Sequence, residues 1–352
     1  MKKLIRLLTI IMALVVCAVS FAACGNAGSN KKDENGLVCK KFGDDEFYTV
    51  TRYYEEEGVT SLDISAAAKA KYGENAVVGA IKKGAFNGNS SLKEVIVKEG
   101  DIDLVIAEGA FNGMKSLTKI TLPFVGATAV SDAYVSETEP KENKSVDEER
   151  SFGYIFGHDV NDYASSVSMN YGKGSASFAI PASLAEITID SGDKAINVPM
   201  YAFYGLAQVS VINLKGNIQA IGDSAFKNMT KLNKVNIPAS VTAIYDNAFE
   251  GATALKIFGE DFKFDNESAL VTIGNSAFKG TNLTDFVLPA TVKAIGESCF
   301  AESALTAFTF SQAIESVGAY AFYNSTKLAT ITNAPADGIV GVNAFAGTAL
   351  SA

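Results

Sequence analysis

The stretch IQAIGDSAFKNMTKLNKVNIP, residues 218–238, carries the pattern that decides the fold. When Phe226 is taken as position zero, small or apolar residues stand at fixed offsets: Ile221 at −5, Ala225 at −1, Leu232 at +6, Val235 at +9 and Ile237 at +11. Other segments of the chain repeat this set. One short unit therefore predicts the structure of most of the protein.

The unit returns around nine phenylalanine anchors: Phe86, Phe111, Phe203, Phe226, Phe249, Phe278, Phe300, Phe322 and Phe345. Alanine precedes every anchor except Phe300, which follows Cys299, and an aliphatic residue stands five positions before each anchor. Apart from a gap of 92 residues after Phe111, successive anchors are 22 to 29 residues apart. A period of this size predicts a solenoid, in which stacked neighbouring units supply one shared core.

The segment that follows each leucine predicts a short β-strand, such as residues 234–237. Because alternate strand residues point in opposite directions, Val235 and Ile237 are expected to face the core, and Lys234 and Asn236 to face outward. Stacking of the units then places these strands side by side in a parallel sheet. Glycine or asparagine often stands two positions after the anchor, where it suits a left-handed backbone: Gly88, Gly113, Asn228 and Gly251.

The motif I(G)xxAFxxxxxLxxVxI, with proline after the strand at Pro123, Pro238 and Pro289, resembles the BspA-type leucine-rich repeats of bacterial surface proteins. The resemblance covers about residues 59–350 apart from one insertion. It implies a β-rich leucine-rich repeat solenoid of the α/β repeat class, a right-handed curved stack of ~22–25-residue repeats with a parallel concave sheet. It also implies a surface protein linked to adhesion or protein binding, without catalytic chemistry or cofactors.

Residues 1–23 are predicted to form a lipoprotein signal peptide, because Lys2, Lys3 and Arg6 precede a long apolar stretch. The sequence FAAC that ends it resembles a bacterial lipobox, although Phe21 replaces the usual leucine. Cys24 is then the lipid-attachment residue, and the protein is anchored to the membrane at the cell surface. Two alternatives remain open: ordinary cleavage after Ala22, which leaves Cys24 free, and a retained membrane helix.

The remaining chain divides into three predicted parts. Residues 24–36 hold no large apolar side chain and form a flexible tether. Residues 37–80 form an N-terminal cap with the first strands, and residues 81–352 form the solenoid, with an insertion at about 124–174. Phe178 is interpreted as the anchor of a degenerate repeat, since Leu184, Ile187 and Ile189 follow it at +6, +9 and +11.

The insertion combines an acidic polar stretch, residues 131–150, with the aromatic segment FGYIFG at residues 152–157. One interpretation is a binding lobe that contacts a ligand through Tyr154, Phe156 and Tyr163, because insertions on rigid scaffolds often carry recognition. The other is a lid that packs Phe152, Tyr154 and Phe156 onto the flank of the sheet.

Composition excludes several classes of function. The formal charge is −9, and loss of the three basic residues of the signal leaves 27 basic against 39 acidic residues, or −12. The sequence holds no basic stripe, so nucleic acid is not an expected partner. His158, the only histidine, stands beside Asp159 without a recognisable nucleophile, and no metal-ligand spacing occurs. Cys39 and Cys299 are not expected to form a disulfide.

These observations predict a protein that is not an enzyme and that binds a protein or glycan. The predicted binding residues face outward from the strands of the sheet: Lys119, Thr121, Asn213, Lys215, Lys234, Asn236, Asp285, Val287 and Thr309. The alternative function is a structural component of the cell envelope that self-associates at its C-terminal end.

Overall fold

The computed structural model describes residues 36–41, 47–98, 104–129, 148–159, 164–170, 174–258 and 268–350. The predicted signal peptide and tether, Cys24 and Tyr163 lie outside these ranges. The described residues form a parallel-sheet β-solenoid, which confirms the predicted fold class.

The first described segment packs two strands and a helix at the N-terminal end of the stack. Strand β1 (Gly36–Lys41) pairs antiparallel with β2 (Phe47–Tyr54), and strand β3 (Ser61–Asp63) leads into helix α1 (Ile64–Tyr72). Asp63 caps this helix by accepting a hydrogen bond of 3.0 Å from the Ala66 N–H. Strand β2 continues in parallel to β4 (Val77–Ile81) and β6 (Val105–Ile106).

The strands that follow each leucine form a parallel sheet, here called the front sheet. Together with β3, its members in spatial order are β5 (Glu94–Ile96), β7 (Lys119–Leu122), β10 (Glu186–Asp190), β12 (Val211–Lys215), β14 (Lys234–Asn236) and β16 (Ile257–Phe258). A second block of the front sheet contains β18 (Asp285–Val287), β20 (Ala307–Thr309) and β22 (Thr330–Thr332).

The strands that precede the anchors form a second parallel sheet, here called the back sheet. Its members are β11 (Ile196–Val198), β13 (Ile218–Ile221), β15 (Ala243–Ile244), β17 (Thr272–Ile273), β19 (Ala294–Ile295) and β21 (Ser316–Val317). A bridge between Val317 and Val340 extends the pairing by one turn. A short 3-10 helix, Asp337–Ile339, precedes that turn.

The anchor phenylalanines stack between the two sheets in a column, here called the Phe ladder. From Phe203 to Phe322 the ring centroids of neighbouring anchors are 4.9–5.5 Å apart, and the ring planes lie within 8° of each other. The backbone supports this spacing, since Phe226 N–H donates to the Ala248 carbonyl at 2.8 Å. Phe226 has no exposed surface. The Phe rings therefore form the continuous core that their period predicts.

The Phe ladder also runs through the predicted insertion, by a different local structure. Two short 3-10 helices, Glu148–Arg150 and Phe152–Phe156, precede an antiparallel hairpin of β8 (Ala164–Asn170) and β9 (Ser175–Pro181). The Phe156 ring lies 6.3 Å from Phe111, and the Phe152 ring lies 5.3 Å from Phe203. These two side chains take the place of the missing anchor.

The interpretation of Phe178 as an anchor is wrong. Phe178 lies in β9 and stacks on His158, with 4.9 Å between the ring centroids. The downstream half of that repeat is regular, because β10 pairs with β7 and β12 and its Ile187 and Ile189 are fully buried. The spacing pattern thus predicted strand β10 correctly, but it did not predict that Phe152 and Phe156 fill the anchor position.

Successive turns approach very closely at the position four residues before the anchor. A Cβ atom added to Gly318 would lie 2.3 Å from the Gly296 backbone, and one added to Gly341 would lie 2.3 Å from the Ala319 backbone. Gly274 and Gly296 stand at the same position, with backbone of the preceding turn at 2.7 and 2.5 Å. Glycine is therefore required in these four turns, because a side chain there would push two turns apart.

Candidate functional site: the front face

The outward-facing side chains of the front sheet, here called the front face, lie in two rows because the strands pair in register. The first row contains Ser61, Glu94, Lys119, Glu186, Val211 and Lys234, and the second contains Asp63, Ile96, Thr121, Thr188, Asn213 and Asn236. Neighbouring strands in such a sheet are about 4.8 Å apart, so each side chain reaches the next one in its row.

Four of these side chains form a continuous polar network. Lys119 Nζ lies 3.1 Å from Glu186 Oε2. Asn213 Nδ2 donates to the other oxygen of Glu186 at 3.1 Å, and Asn236 Nδ2 donates to Asn213 Oδ1 at 2.7 Å. Each group holds the next in a defined orientation across four adjacent strands. The front face therefore presents a fixed pattern of donors and acceptors.

The network ends at the carboxamide of Asn236. Its Oδ1 atom is buried and has no hydrogen-bond partner within the described ranges. The position that would follow it on the next strand, Gly259, lies outside those ranges. Within the described ranges, this oxygen is the last atom of the polar network.

An ion pair fixes the opposite end of the front face. Lys98 Nζ lies 2.7 Å from Asp63 Oδ2. Burial acts to raise the pKa of Asp63, but the hydrogen bonds from Lys98 and from the Ala66 N–H outweigh it and hold the pKa below its ordinary value. The same hydrogen bond raises the pKa of Lys98. Both groups are thus charged at neutral pH.

An open depression of about 760 Å³ lies beside the front face. It is lined by Ser210, Thr230, Lys231, Asn233, Thr253, Ala254, Lys256 and Asn282. Ser210, Asn233 and Lys256 immediately precede β12, β14 and β16, where the first block of the front sheet ends. The depression therefore adds two lysines and several hydroxyl and amide groups to the edge of the front face.

The structure brings most of the predicted binding residues into one place. Lys119, Thr121, Asn213, Lys215, Lys234 and Asn236 lie on the first block of the front sheet, and Asp285, Val287 and Thr309 lie on the second. Val287 is 48% exposed, which is unusual for a valine in this chain. Glu186, which links Lys119 to Asn213, was not among the predicted binding residues. Glu186 and the neighbouring Thr188 follow Leu184 at +2 and +4, so the outward positions of this strand could have been read from the repeat offsets.

The predicted residues of the insertion lie in a different setting. Phe156 is fully buried in the Phe ladder and has no surface for a ligand. Tyr154 is half-buried, and burial together with nearby Glu149 raises its pKa to about 12. Tyr163 lies outside the described residues. The packing of Phe152 and Phe156 resembles the lid interpretation, although both side chains lie within the core rather than on its flank.

The single histidine has a structural role in the part of the chain that is described. His158 Nε2 lies 2.6 Å from Glu148 Oε1, and Nδ1 lies 2.8 Å from the Ser177 carbonyl oxygen. Both partners are acceptors, so both ring nitrogens must carry protons to form both hydrogen bonds. The hydrogen bond to Ser177 and the nearby Glu148 carboxylate raise the pKa of His158. This arrangement favours an imidazolium ion rather than a base.

Cys39 and Cys299 are free thiols, and burial raises the pKa of both, that of Cys39 to about 12. A search of the described ranges finds no cluster of His, Cys, Asp and Glu that would hold a metal ion. In the same ranges, no helix has the length and apolarity needed to cross a membrane.

The repeat model described as the BspA type leucine rich repeat region matches six copies in this chain, over residues 74–139, 173–259 and 260–352. The chain belongs to the BspA-type leucine-rich repeat family. Proteins of this family are typically found at the bacterial cell surface.

The chain is also similar to several solved structures. A T. pallidum leucine-rich repeat protein is 24% identical, with a TM-score of 0.39, and the match covers 46% of this chain and 80% of that one. A Bacteroides ovatus leucine-rich repeat protein is 16% identical, with a TM-score of 0.40 and coverage of 89% and 79%. The pneumococcal vaccine antigen PcpA is 16% identical, with a TM-score of 0.31 and coverage of 85% and 69%. No curated protein matches the chain.

Proposed function

We propose that this BspA-type protein is a non-catalytic surface protein, anchored to the membrane through Cys24, that binds a protein or glycan through its front face. The observation that carries this proposal is the polar network from Lys119 through Glu186 and Asn213 to Asn236. A partner that meets these groups does not have to order them first, which lowers the entropic cost of binding.

The front face suits a partner of modest affinity. Most of its side chains are polar, Lys119 is paired with Glu186, and its two rows lack the aromatic and arginine anchors that dominate tight interfaces. We therefore expect dissociation constants on the order of micromolar for one copy, strengthened when many anchored copies engage one partner.

A catalytic function has less support than a binding function. Both ring nitrogens of His158 are engaged by acceptors, and burial keeps Cys299 in its neutral thiol form. A thiol acts as a nucleophile only as a thiolate, and a histidine acts as a base only with a free nitrogen lone pair. Neither group is prepared for chemistry.

The binding proposal is tested with the soluble chain from residue 25, screened against extracellular matrix proteins and a glycan array. The double variant Lys234→Glu, Asn236→Arg alters the front face. The matched control Lys69→Glu, Ala70→Arg makes the same change of net charge on helix α1. We expect the first variant to lose at least tenfold in affinity and the control to bind normally. Unchanged binding by a folded front-face variant would move the site elsewhere, and concentration-dependent sedimentation without any ligand would favour the self-associating alternative.

The anchor is tested separately in cells. We expect Cys24→Ala to release the protein from the membrane fraction, because the thiol is the only proposed attachment point. Incorporation of a labelled fatty acid measures the modification directly, and Ser20→Ala serves as the control. Equal labelling of wild type and the Cys24 variant contradicts the anchor.

A further inference from the structure

The turn that carries each anchor contains a residue with a left-handed backbone two positions before the phenylalanine. In most repeats this residue is one that tolerates a positive φ angle: Gly84, Gly109, Ser224, Asn247, Ser276, Ser298 and Asn343. Two repeats break the rule, since Tyr201 has φ 58° and Tyr320 has φ 57°. A bulky residue is strained in this region, so the backbone conformation of the two tyrosines costs stability.

Each strained tyrosine is paired with a second tyrosine three positions later. The two segments have the same sequence, YAFY, at residues 201–204 and 320–323. The ring centroids of Tyr201 and Tyr204 are 6.0 Å apart with a tilt of 59°, and those of Tyr320 and Tyr323 are 5.7 Å apart with a tilt of 85°. The central Ala and Phe of each segment are buried, whereas Tyr201, Tyr204 and Tyr320 are half-buried and Tyr323 is 39% exposed.

One hydroxyl of each pair is held by an asparagine of the following turn. Asn228 Nδ2 donates to Tyr204 Oη at 3.3 Å, and Asn343 Nδ2 donates to Tyr320 Oη at 3.4 Å. A phenol oxygen that accepts in this way keeps its own proton for donation to another group. The two tyrosine pairs therefore combine flat apolar rings with a positioned hydroxyl donor.

The turns beside the second pair carry short side chains. Ser298 and Ala301 occupy the equivalent positions on the preceding turn, and Ala346 occupies one of them on the following turn. Glu302 also lies on the preceding turn, where its backbone N–H donates to the Tyr323 carbonyl at 2.8 Å. Its side chain is 55% exposed, and one carboxylate oxygen lies 3.5 Å from Lys279 Nζ. The Tyr320–Tyr323 pair is thus flanked by short side chains, and an exposed carboxylate lies on the preceding turn.

We propose that the two tyrosine pairs bind a neutral polysaccharide. A sugar ring has an apolar C–H face that packs on an aromatic ring, and a rim of hydroxyls that uses the phenol donor and the Glu302 acceptor. Tyrosine provides such amphipathic contact area with little loss of side-chain freedom. Proline-rich peptides also dock on aromatic pairs, so peptide binding is the competing outcome of the test.

The two pairs are placed to engage one long polymer. The Phe ladder is continuous between Phe203 and Phe322, which are five stacked turns apart. At the usual strand spacing this separation is roughly 24 Å. A polysaccharide that spans it gains from both pairs, whereas a short oligosaccharide occupies one at a time. This site lies on the anchor turns and does not depend on the front face.

The test is native affinity electrophoresis of the soluble chain in gels that contain dextran, hydroxyethylcellulose or galactomannan. We expect at least one polymer to retard the wild type, and the double variant Tyr201→Asn, Tyr320→Asn to bind about tenfold more weakly. Because Asn occupies the same strained position in other repeats, its thermal midpoint should rise by about 1–4 °C while binding falls. The control Ser276→Asn, at the same position without an aromatic pair, should keep full binding.

A second double variant tests whether the loss of binding is an indirect effect of altered folding. Tyr204→Leu with Tyr323→Leu keeps apolar bulk but removes the rings, and it should also lose retardation. The front-face variant Lys234→Glu, Asn236→Arg should retain it. The proposal is overturned if none of the three polymers retards the wild type, or if both tyrosine double variants are retarded as strongly as the wild type. Binding of a proline-rich peptide that only these variants lose, without polysaccharide binding, would overturn it in favour of a peptide site.

Discussion

The regular repeats and the insertion build the same core in two different ways. Between Phe203 and Phe322, each turn contributes one anchor, and the rings lie nearly parallel. Between Phe111 and Phe203, one 3-10 helix contributes two rings, Phe152 and Phe156, which are tilted by 51° to each other. Both arrangements keep neighbouring rings within 6.3 Å.

Backbone hydrogen bonds explain why the two rings of the 3-10 helix can take the place of the missing anchor. In the regular turns an anchor N–H donates to the next turn, as Phe226 does to the Ala248 carbonyl. At the insertion, Phe111 donates to the Ile155 carbonyl at 2.9 Å, and Phe152 donates to the Ala202 carbonyl at 2.9 Å. The regular turns and the insertion therefore both provide an aromatic ring and a backbone carbonyl acceptor for the neighbouring level.

The largest effect is expected when a ladder ring is removed. Phe226→Ala should lower the free energy of unfolding by about 3–5 kcal/mol, because it leaves a cavity between two packed rings. If the insertion is an equal part of the core, Phe152→Ala should cost about as much. Urea unfolding measures both variants. A loss below about 1 kcal/mol for Phe152→Ala would show that the insertion only covers the core.

A smaller effect is expected from overpacking within the insertion. A Cβ atom on Gly153 would lie 2.3 Å from the Phe178 ring, which is itself fully buried. Gly153→Ala should therefore cost about 1–3 kcal/mol of unfolding free energy. Gly338→Ala is the matched control, since no atom lies within 4 Å of its added Cβ. Equal thermal midpoints for the two variants would contradict the tight packing of Phe178.

The histidine of the insertion should give a weak pH dependence. The pKa of His158 is raised, so its contribution to stability is complete below the ordinary value near 6.5 and is lost as pH rises through the folded-state pKa. Its side chain is 42% exposed, which limits the effect to less than about 1 kcal/mol. The difference in thermal midpoint between wild type and His158→Gln should shrink from pH 5.5 to pH 9. A constant difference would contradict the charged pair with Glu148.

The smallest effect is expected from shortening the acidic stretch. Replacement of residues 131–147 by a short glycine-serine linker should shift the thermal midpoint by less than about 2 °C. The flanks already meet, because Ala127 N–H donates to the Glu149 carbonyl at 2.8 Å. Extension of the deletion through Arg150 should cost more, since it removes this contact and Glu148. Similar midpoints for the two deletions would show that residues 148–150 do not support the insertion.

The regular repeats could be predicted from the sequence because each rule concerns residues that are close along the chain. The offsets of Ile221, Phe226 and Leu232 predict that these three side chains of one repeat point into the core, and all three are fully buried. The left-handed backbone at Gly88 and Asn228 was predicted for the same reason and is confirmed by φ angles of 76° and 61°.

The insertion could not be predicted in the same way, because its core contacts join residues far apart in the sequence. Phe178 satisfied the downstream offsets, but Lys173 stands five positions before it, where every true anchor has an aliphatic residue. Lys173 was therefore the sequence signal that argued against Phe178 as an anchor. No local offset indicated that Phe152 and Phe156 would fill the gap, since a 3-10 helix replaces the usual turn there.

The front face was partly predictable. Alternation along single strands correctly placed Asn213 and Asn236 outward, but it could not show that their amides connect to each other. That link depends on the register between strands, which the repeat period fixes only where the repeats are regular. The role of Glu186 was missed because it lies just after the irregular segment.

The close contacts at Gly274, Gly296, Gly318 and Gly341 limit how such a protein can change by exchange of repeats. The corresponding positions of earlier turns hold larger residues, such as Lys82 and Tyr245. A duplicated glycine-bearing turn can be inserted within the C-terminal block, because its own glycine leaves room for the backbone of the neighbouring turn. A turn with Lys82 or Tyr245 at this position, transplanted there, would bring a side chain against the backbone of its new neighbour. The repeats are therefore similar modules that are not interchangeable, and the protein can lengthen by copying within a block more readily than by recombining between blocks.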